Sequence, residues 1–176
     1  MSTLKVAVNP TDRIQGVELA ECTLVEYGDY ECPHCGRAYP IVKRIQRHFG
    51  KRLSFVFRNF PLSEMHPNAE PAAESAEFAG AYGKFWEMHD SLFENQFRLG
   101  EDLYLELAQE LQLSPVELQT ARADRRFRAR VRADFTGGVR SGVNGTPTFF
   151  INGQRHDGSF EYDDLVEAIQ EALAAP

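Results

Sequence analysis

Residues 24–36 read LVEYGDYECPHCG, which joins an apolar run, a turn and two cysteines. The apolar run is typical of a buried strand, and the glycine and aspartate after it are typical of a turn. The cysteines then open an amphipathic helix. The stretch therefore predicts a strand, a turn and a helix that begins with two thiols, which is where a redox-active dithiol would be built.

The spacing of Cys32 and Cys35 brings them within one helical turn, so a disulfide can close with little backbone movement. With Cys32 at the helix N-terminus and Pro33 in the first turn, the positive end of the helix favours the Cys32 thiolate. His34 adds a second electropositive neighbour. A stabilised thiolate makes the reduced form more stable and the pair more oxidising. Cys35, one turn into the helix, should be more buried and act as the resolving thiol.

Half of a structural zinc site has the same cysteine spacing, and that alternative needs a second pair of ligands. The chain has a single further cysteine, Cys22. It lies in an apolar strand pattern, where an isolated cysteine is usually a small buried hydrophobic residue. The sequence therefore favours a dithiol over a metal site, and we expect neither a metal nor a cofactor.

Glu26 interrupts the otherwise apolar run 22–27, whose near-continuous apolar character predicts a central strand. A carboxylate in such a strand should be partly desolvated, with a raised pKa, and could exchange protons with Cys35 during disulfide exchange. The alternative is that this strand has a wet face and that the Glu26 side chain lies in solvent.

The whole chain has 176 residues, of which 43% are apolar and 26% charged, as in an ordinary soluble protein of one domain. The net charge of -7 argues against nucleic acid as the main partner. No run approaches the ~18 apolar residues of a membrane span.

No signal peptide is evident at the start, so we expect a cytoplasmic protein, or a periplasmic one if a leader has been removed. A cytoplasmic location conflicts with an oxidising role, because cytosolic thiols are kept reduced.

The elements around the cysteines alternate between strand and helix. Residues 4–8 alternate apolar and polar side chains and predict an edge strand. Residues 33–49 have helical spacing, with Pro40 kinking the helix and Gly50 as its C-cap. Residues 53–60 predict a second strand, parallel to the first if the helix between them is a right-handed crossover.

Residues 66–140 show helical spacing and no strand pattern of any length. Ser114 opens a capping box with a proline in the first turn, which predicts the start of a helix there. Five helices are predicted, marked by apolar residues over 69–79, 85–97, 103–111, 115 onward and 127–135. We therefore expect residues 63–140 to be a helical subdomain inserted in an α/β frame of residues 1–62 and 141–176.

His66, His89 and Trp86 could contact a ligand or substrate, but such residues in a helical subdomain are more often structural. A run of arginines is flanked by Asp124 and Asp134. We interpret it as a solvated helix face with local ion pairs. The run consists of Arg122, Arg125, Arg126, Arg128, Arg130 and Arg132.

Strand patterns return after residue 143. Asn152 and Gly153 are a strong signal for a type I′ turn, so residues 148–151 and 154–157 should form an antiparallel hairpin. Ser159 is predicted to cap the last helix. The apolar face of that helix is formed by Leu165, Ile169 and Leu173.

Pro147 opens the first strand of this hairpin. A trans proline in a loop is the default. The sequence Gly-Thr-Pro-Thr over residues 145–148, followed by an apolar strand, is nevertheless what a cis-proline loop needs.

The order of these features resembles the thioredoxin fold, and the insertion together with the Cys-Pro-His-Cys motif resembles the DsbA family of thiol–disulfide oxidoreductases. The resemblance covers about residues 20–175. It rests on the cysteine motif, on Glu26 six residues upstream, on Pro40 in the helix, and on Thr146 and Pro147 some 115 residues after Cys32. Residues 12–32 most resemble DsbA-like proteins of bacteria that lack a leader or are fused to sodium/proton antiporters.

The resemblance implies that Cys32 attacks or is attacked, and that Cys35 resolves the mixed disulfide. Glu26 matches the family's buried acid beside the dithiol. Pro33 and His34 form the dipeptide between the cysteines, and the His34 position tunes the redox potential.

The resemblance also implies a substrate site. Pro147 would be cis and lie against the disulfide, which leaves the Thr146 backbone free to pair with an extended substrate. A threonine before Pro147, where DsbA has a valine, is similar to the isomerase and reductase branches and leaves the substrate preference open.

We therefore expect a monomeric protein disulfide oxidoreductase that exchanges the Cys32–Cys35 disulfide or dithiol with protein or peptide thiols, or with glutathione. The alternative is a non-catalytic thioredoxin-like module that binds a partner peptide or has a regulatory role.

Overall fold

The computed structural model describes residues 2–175. Within these residues it has seven α-helices and one sheet of five strands. The strands are β1 (Arg13–Gly16), β2 (Cys22–Gly28), β3 (Leu53–Asn59), β4 (Thr148–Ile151) and β5 (Gln154–His156). The helices are α1 (Pro33–Phe49), α2 (Ala69–Ala81), α3 (Phe85–Glu94), α4 (Glu101–Glu110), α5 (Pro115–Ala123), α6 (Arg128–Arg140) and α7 (Tyr162–Ala174).

The strand order is β1-β3-β2-β4-β5, which puts β2 at the centre of the sheet. β2 runs parallel to β3, with Cys22 opposite Leu53, and antiparallel to β4. β1 adds to the outer edge of β3 in the antiparallel direction. The predicted central strand and its parallel partner are confirmed, and both are buried because helices cover the sheet.

Side chains alternate between the two faces of β2. Leu24 lies in the larger core, together with apolar residues of α1, α3 and α7. Val25 and Tyr27 lie in the smaller core on the opposite face, against α6 and the N-terminal segment. Glu26 therefore shares the face of Leu24, where α1 packs.

The predicted edge strand over residues 4–8 is wrong. The first strand is instead β1, at one edge of the sheet, and the N-terminal segment places Leu4 and Val8 against the smaller core. β1 has only one aliphatic side chain, Ile14, so its sequence gives little strand signal. It is held by backbone pairing with β3 and by the Trp86 indole, whose Nε1 donates to the Ile14 carbonyl at 3.2 Å.

Two local predictions are confirmed, the C-cap of α1 and the turn of the C-terminal hairpin. Gly50 caps α1 with φ 53°, and its N–H donates to the Gln46 carbonyl. Asn152 and Gly153 have φ values of 47° and 79°, as a type I′ turn requires. The predicted cap of the last helix is wrong, because α7 begins only at Tyr162 and the Ser159 hydroxyl accepts from the Glu161 N–H before the helix.

The segment between β3 and β4 contains α2 to α6 and, throughout its described residues, no strand. The predicted helix start is present as an N-cap, since the Ser114 Oγ accepts from the Glu117 N–H at 3.2 Å, but the box is not closed because the Glu117 carboxylate accepts from the Tyr82 hydroxyl instead. α3 is shorter than predicted. It ends at Glu94 and is followed by a 3-10 turn over Gln96–Arg98.

The arginine run only partly matches its predicted role as a solvated face with local pairs. Arg122 pairs with Glu101 of α4, and Arg128 with Glu70 of α2 at 3.0 Å. Asp134 is buried, and it accepts from the backbone and side-chain amides of Asn59 at the end of β3. The ion pairs of this run therefore join α5 and α6 to other helices, and hydrogen bonds to Asp134 join α6 to the sheet.

A buried charged network crosses the sheet face beneath α6. Arg58 of β3 donates to both carboxylate oxygens of Asp12 at 2.9 Å, and to the Tyr27 hydroxyl at 2.9 Å. Its remaining N–H groups donate to the Val6 and Ala7 carbonyls. The network ties the N-terminal segment to the central strands.

Candidate active site

The two cysteines lie where α1 begins. Cys32 is the N-cap residue and Pro33 the first residue of the helix. Cys32 and Cys35 are both free thiols and approach to 4.0 Å. Cys35 is completely buried, whereas Cys32 is 4% exposed. The structure thus shows the dithiol form of a pair that a small movement would join.

The environment of Cys32 favours its thiolate. The hydrogen bond from the Cys35 thiol makes the largest contribution and lowers the Cys32 pKa, whereas burial raises it. The Thr146 hydroxyl and the backbone N–H groups of Cys35 and His34 lower it further. Together these hydrogen bonds outweigh burial, and the Cys32 pKa is about 5. The backbone donors belong to the first turn of α1, as expected at a helix N-terminus. His34 acts on the sulfur through its backbone N–H, and its side chain is exposed.

Thr146 faces the Cys32 sulfur from the loop before β4. The peptide bond between Thr146 and Pro147 is cis, which confirms the predicted cis proline. The Thr146 carbonyl accepts from the Cys32 thiol at 3.4 Å. The Thr146 hydroxyl is buried and bonds to no other group within residues 2–175, so it is available to donate to the thiolate. Both protonation states of Cys32 therefore find a partner in one residue.

Cys35 has the opposite tendency. Burial, then the hydrogen bond to Cys32 and the negative charges of Glu26 and Cys32, raise the Cys35 pKa well above its usual range. The Asp29 N–H donates to the Cys35 sulfur at 3.4 Å and opposes this shift only in part. The site thus contains one thiol that ionises readily and one that retains its proton.

Glu26 is 3% exposed, so the alternative of a solvent-facing side chain is wrong. Burial and the negative charge of Cys32 raise the Glu26 pKa to about 8. In the described part of the chain nothing donates to its Oε1 atom. A cavity about large enough for one water molecule lies beside the carboxyl group. Its polar lining is formed by Gln15, Lys43, Gln46 and His89.

Glu26 makes stability depend on pH, and replacing it by glutamine should remove that dependence. Because its folded pKa of about 8 exceeds its ordinary 4.5, the native state binds more protons than the unfolded state between these values. The free energy of unfolding therefore falls as pH rises through this window, by up to about 1.4 kcal/mol per pH unit. Glu26→Gln should match the wild type near pH 4.5 and exceed it by a few kcal/mol near pH 8.

Urea unfolding of both proteins across this pH range measures the effect. Glu21→Gln replaces an exposed carboxylate and serves as the matched control. A difference between Glu26→Gln and the wild type that stays constant with pH would show that the Glu26 carboxyl does not titrate differently on folding.

Two residues that the sequence did not single out hold the active-site turn. The Asp29 carboxylate accepts from the N–H groups of Glu31 at 2.8 Å and Cys32 at 3.2 Å. The Gln96 side-chain amide donates to the carbonyls of Tyr30 and Cys32, both at 2.8 Å. An acidic residue directly after a strand and before the cysteines was a visible signal for Asp29. Gln96 lies 64 residues from Cys32 and leaves no local signal.

The remaining aromatic and histidine candidates have different surroundings. His89 is buried among aromatic rings and bonds the Tyr30 hydroxyl at 3.0 Å, and burial lowers its pKa well below the usual range. Trp86 anchors β1. Both make the packing contacts expected of structural residues. His66 instead contacts Asp29 beside the active site.

Among residues 2–175 no group of three or more histidine, cysteine, aspartate or glutamate side chains has the geometry of a metal site. Over the same residues, no helix has the length and apolar character needed to cross a bilayer.

Sequence comparison places most of the chain in one family. Residues 8–171 match the family model described as thioredoxin. A curated relative, "Na(+)/H(+) antiporter NhaA 1" of Salinispora arenicola, is 44% identical over 172 residues, which is 97% of this chain and 26% of the relative. The protein of the same name in a Mycobacterium species is 40% identical and covers 96% of this chain. The chain spans only about a quarter of the length of these relatives.

Structural comparison finds close neighbours. BdbD from Bacillus subtilis, in its oxidised form, superposes with a TM-score of 0.85 at 26% identity, covering 93% of this chain and 94% of BdbD. A thioredoxin-like oxidoreductase from Silicibacter pomeroyi gives 0.84 at 26% identity, covering 96% and 95%. The α-DsbA1 protein of Wolbachia pipientis gives 0.80 at 20% identity, covering 94% and 92%, and shows likeness of fold.

Proposed function

Since the chain belongs to the thioredoxin family and has the fold of its DsbA-like members, we propose that it exchanges the Cys32–Cys35 pair with thiols and disulfides of protein substrates. The predicted fold class and family resemblance are confirmed by the same matches. The observation that carries the proposal is the pairing of a Cys32 sulfur that ionises readily with a buried Cys35 that does not. That asymmetry is what a nucleophile and a resolving thiol require.

In the reductive direction, the Cys32 thiolate attacks one sulfur of a substrate disulfide. The substrate S–S bond breaks, a Cys32–substrate disulfide forms and the first substrate sulfur leaves as a thiolate. Cys35 then loses its proton and attacks the Cys32 sulfur. The second substrate thiolate leaves, so the substrate gains two electrons and the protein is left with a Cys32–Cys35 disulfide. The oxidative direction reverses these steps.

Glu26 supplies the proton acceptor for Cys35. With a pKa of about 8, the carboxyl group is close to half-ionised at slightly alkaline pH and can both accept and return a proton. Glu26 lies on the face of β2 against which α1 packs, and Cys35 of α1 is part of the core on that face. The polar cavity beside it has room for about one water molecule, which would take the proton from the carboxyl group and return it.

The substrate class follows from the loop before β4. The Thr146 carbonyl already faces the Cys32 sulfur, so a segment that pairs with the Thr146 backbone would place its own cysteine at the nucleophile. This favours extended protein segments as substrates, with glutathione as the smaller alternative. We propose that the protein acts as a monomer.

The proposal is tested by equilibrating the protein in graded glutathione buffers and counting free thiols. We expect a reversible two-electron couple on the oxidising side of the glutathione couple, because the low pKa of Cys32 stabilises the reduced form. Such a value would indicate a disulfide donor for an oxidising compartment, and a strongly reducing value would indicate a reductase.

The control for this titration is Cys35→Ser, which retains Cys32 and Cys22 and should show no intramolecular couple. The absence of a reversible couple in the wild type would contradict the proposed exchange. Peptide binding that survives replacement of both Cys32 and Cys35 would then indicate the non-catalytic module instead.

A further inference from the structure

Asp29 is a buried carboxylate beneath the active-site turn, and its partner His66 comes from the loop between β3 and α2. The His66 Nδ1 and the Asp29 Oδ2 atoms are 2.8 Å apart. The Asp29 side chain is fully buried, whereas that of His66 is 17% exposed. Asp29 Oδ2 also accepts from the Leu62 N–H at 2.9 Å. One carboxylate therefore joins this loop to the backbone of the nucleophile.

The position of Asp29 creates an electrostatic problem for Cys32. Asp29 accepts from the Cys32 N–H at 3.2 Å, so a buried negative charge lies directly behind the residue that must itself become negative. Two negative charges on the same turn of a poorly solvated site repel one another, which raises the free energy of the second ionisation. The turn needs the Asp29 carboxylate as an acceptor, so its charge has to be balanced from elsewhere.

His66 is placed to balance it. The ionisable groups that act on its ring are Asp29, Cys32 and Glu31, all on the active-site turn, and each is an anion when ionised. Partial burial opposes protonation of the ring, but the hydrogen bond to Asp29 and these negative charges outweigh it and raise the His66 pKa above 6.5. The imidazole therefore retains positive charge nearer to neutral pH than a free histidine does.

We propose that His66 is a positioning residue of the dithiol site, whose imidazolium neutralises the Asp29 carboxylate and thereby allows the Cys32 sulfur to be negatively charged. His66 does not touch the substrate; it acts through Asp29. The inference rests on the proposed function, because it assigns a part of the same exchange reaction.

The test is the variant His66→Asn in the full chain. The asparagine amide can donate to Asp29 from a position close to that of Nδ1 but carries no charge. We expect the proton affinity of the Cys32 thiolate to rise roughly 3- to 10-fold. The ultraviolet absorbance of the thiolate, measured as pH is varied, reports this change. The equilibrium with glutathione should shift by a similar factor towards the protein disulfide, because the reduced form loses stabilisation.

A double variant separates charge balance from simple structural support. If His66 acts by neutralising Asp29, then Asp29→Asn combined with His66→Asn removes both charges and should return the Cys32 titration towards that of the wild type. A purely structural role predicts the opposite, namely a double variant at least as perturbed as the single one.

His48→Asn is the matched control, since the His48 ring bonds the Tyr162 hydroxyl at 2.8 Å near the far end of α1. It should leave the Cys32 titration unchanged. Unchanged titration and glutathione equilibrium in His66→Asn would overturn the inference, as would failure of the double variant to recover. Either result leaves the proposed function intact, which only the lack of a reversible couple in the wild type would contradict.

Discussion

Cys32→Ser is expected to abolish thiol–disulfide exchange, whereas Cys35→Ser is expected to trap the substrate on the protein. Cys32 has the sulfur that ionises, with a pKa lowered to about 5, and serine cannot replace that nucleophile. Without Cys35, nothing attacks the Cys32–substrate disulfide from within the site, so the complex accumulates. Reduction of a disulfide-containing protein measures the first effect, and a mixed disulfide that disappears on adding reductant measures the second.

Cys22→Ala provides the control for both variants. Cys22 is fully buried at the start of β2, and burial raises its pKa to about 11, so it should not take part in exchange. This variant should retain wild-type turnover once its folding has been verified. Wild-type turnover in both Cys32→Ser and Cys35→Ser would mean that the assignment of the dithiol is wrong.

Replacing Arg58 by leucine should lower the free energy of unfolding by up to about 3–5 kcal/mol, because it leaves the buried Asp12 carboxylate with only the Arg130 guanidinium, 4.0 Å away, as a counter-ion. The side chains of Arg58 and Asp12 are 3% and 2% exposed. The substitution also removes donors from the Tyr27 hydroxyl and from the Val6 and Ala7 carbonyls. Urea unfolding at neutral pH measures the loss.

Arg52→Leu is the matched control, since Arg52 also pairs with a carboxylate, that of Glu21, but both side chains are more than half exposed. An exposed pair of this kind contributes at most about 1 kcal/mol. Equal losses in Arg52→Leu and Arg58→Leu would show that burial of the Arg58 network adds nothing to stability.

The parts of the fold that the sequence predicts are those with local signals. The apolar run 22–27, the helical spacing of 33–49 and the Asn152–Gly153 turn each specify an element through neighbouring residues. The cysteine motif and the cis-proline loop are likewise indicated by a few neighbouring residues. Together with the family resemblance, these signals place Cys32, Cys35, Glu26 and Thr146 in one site.

The features that escaped prediction depend on contacts between distant residues. β1 is a strand because β3 offers it an edge, not because its own side chains alternate. The Arg58–Asp12 pair joins residues 46 apart, and the Asp29–His66 pair residues 37 apart. Such pairs have no periodicity, so the sequence shows polar residues without indicating that they are buried together.

Two hydrogen bonds from the Gln96 side chain, to the Cys32 and Tyr30 carbonyls, hold the active-site turn from a distant part of the chain. Asn68 adds a second such tie, with its backbone and side-chain amides donating to the Glu31 carboxylate. The short loop that presents the nucleophile is thus held by hydrogen bonds from residues outside the sheet. Grafting the four-residue cysteine motif into another scaffold would transfer the reactive sulfur without these hydrogen bonds. The grafted loop would therefore lose the rigidity that orients the sulfur.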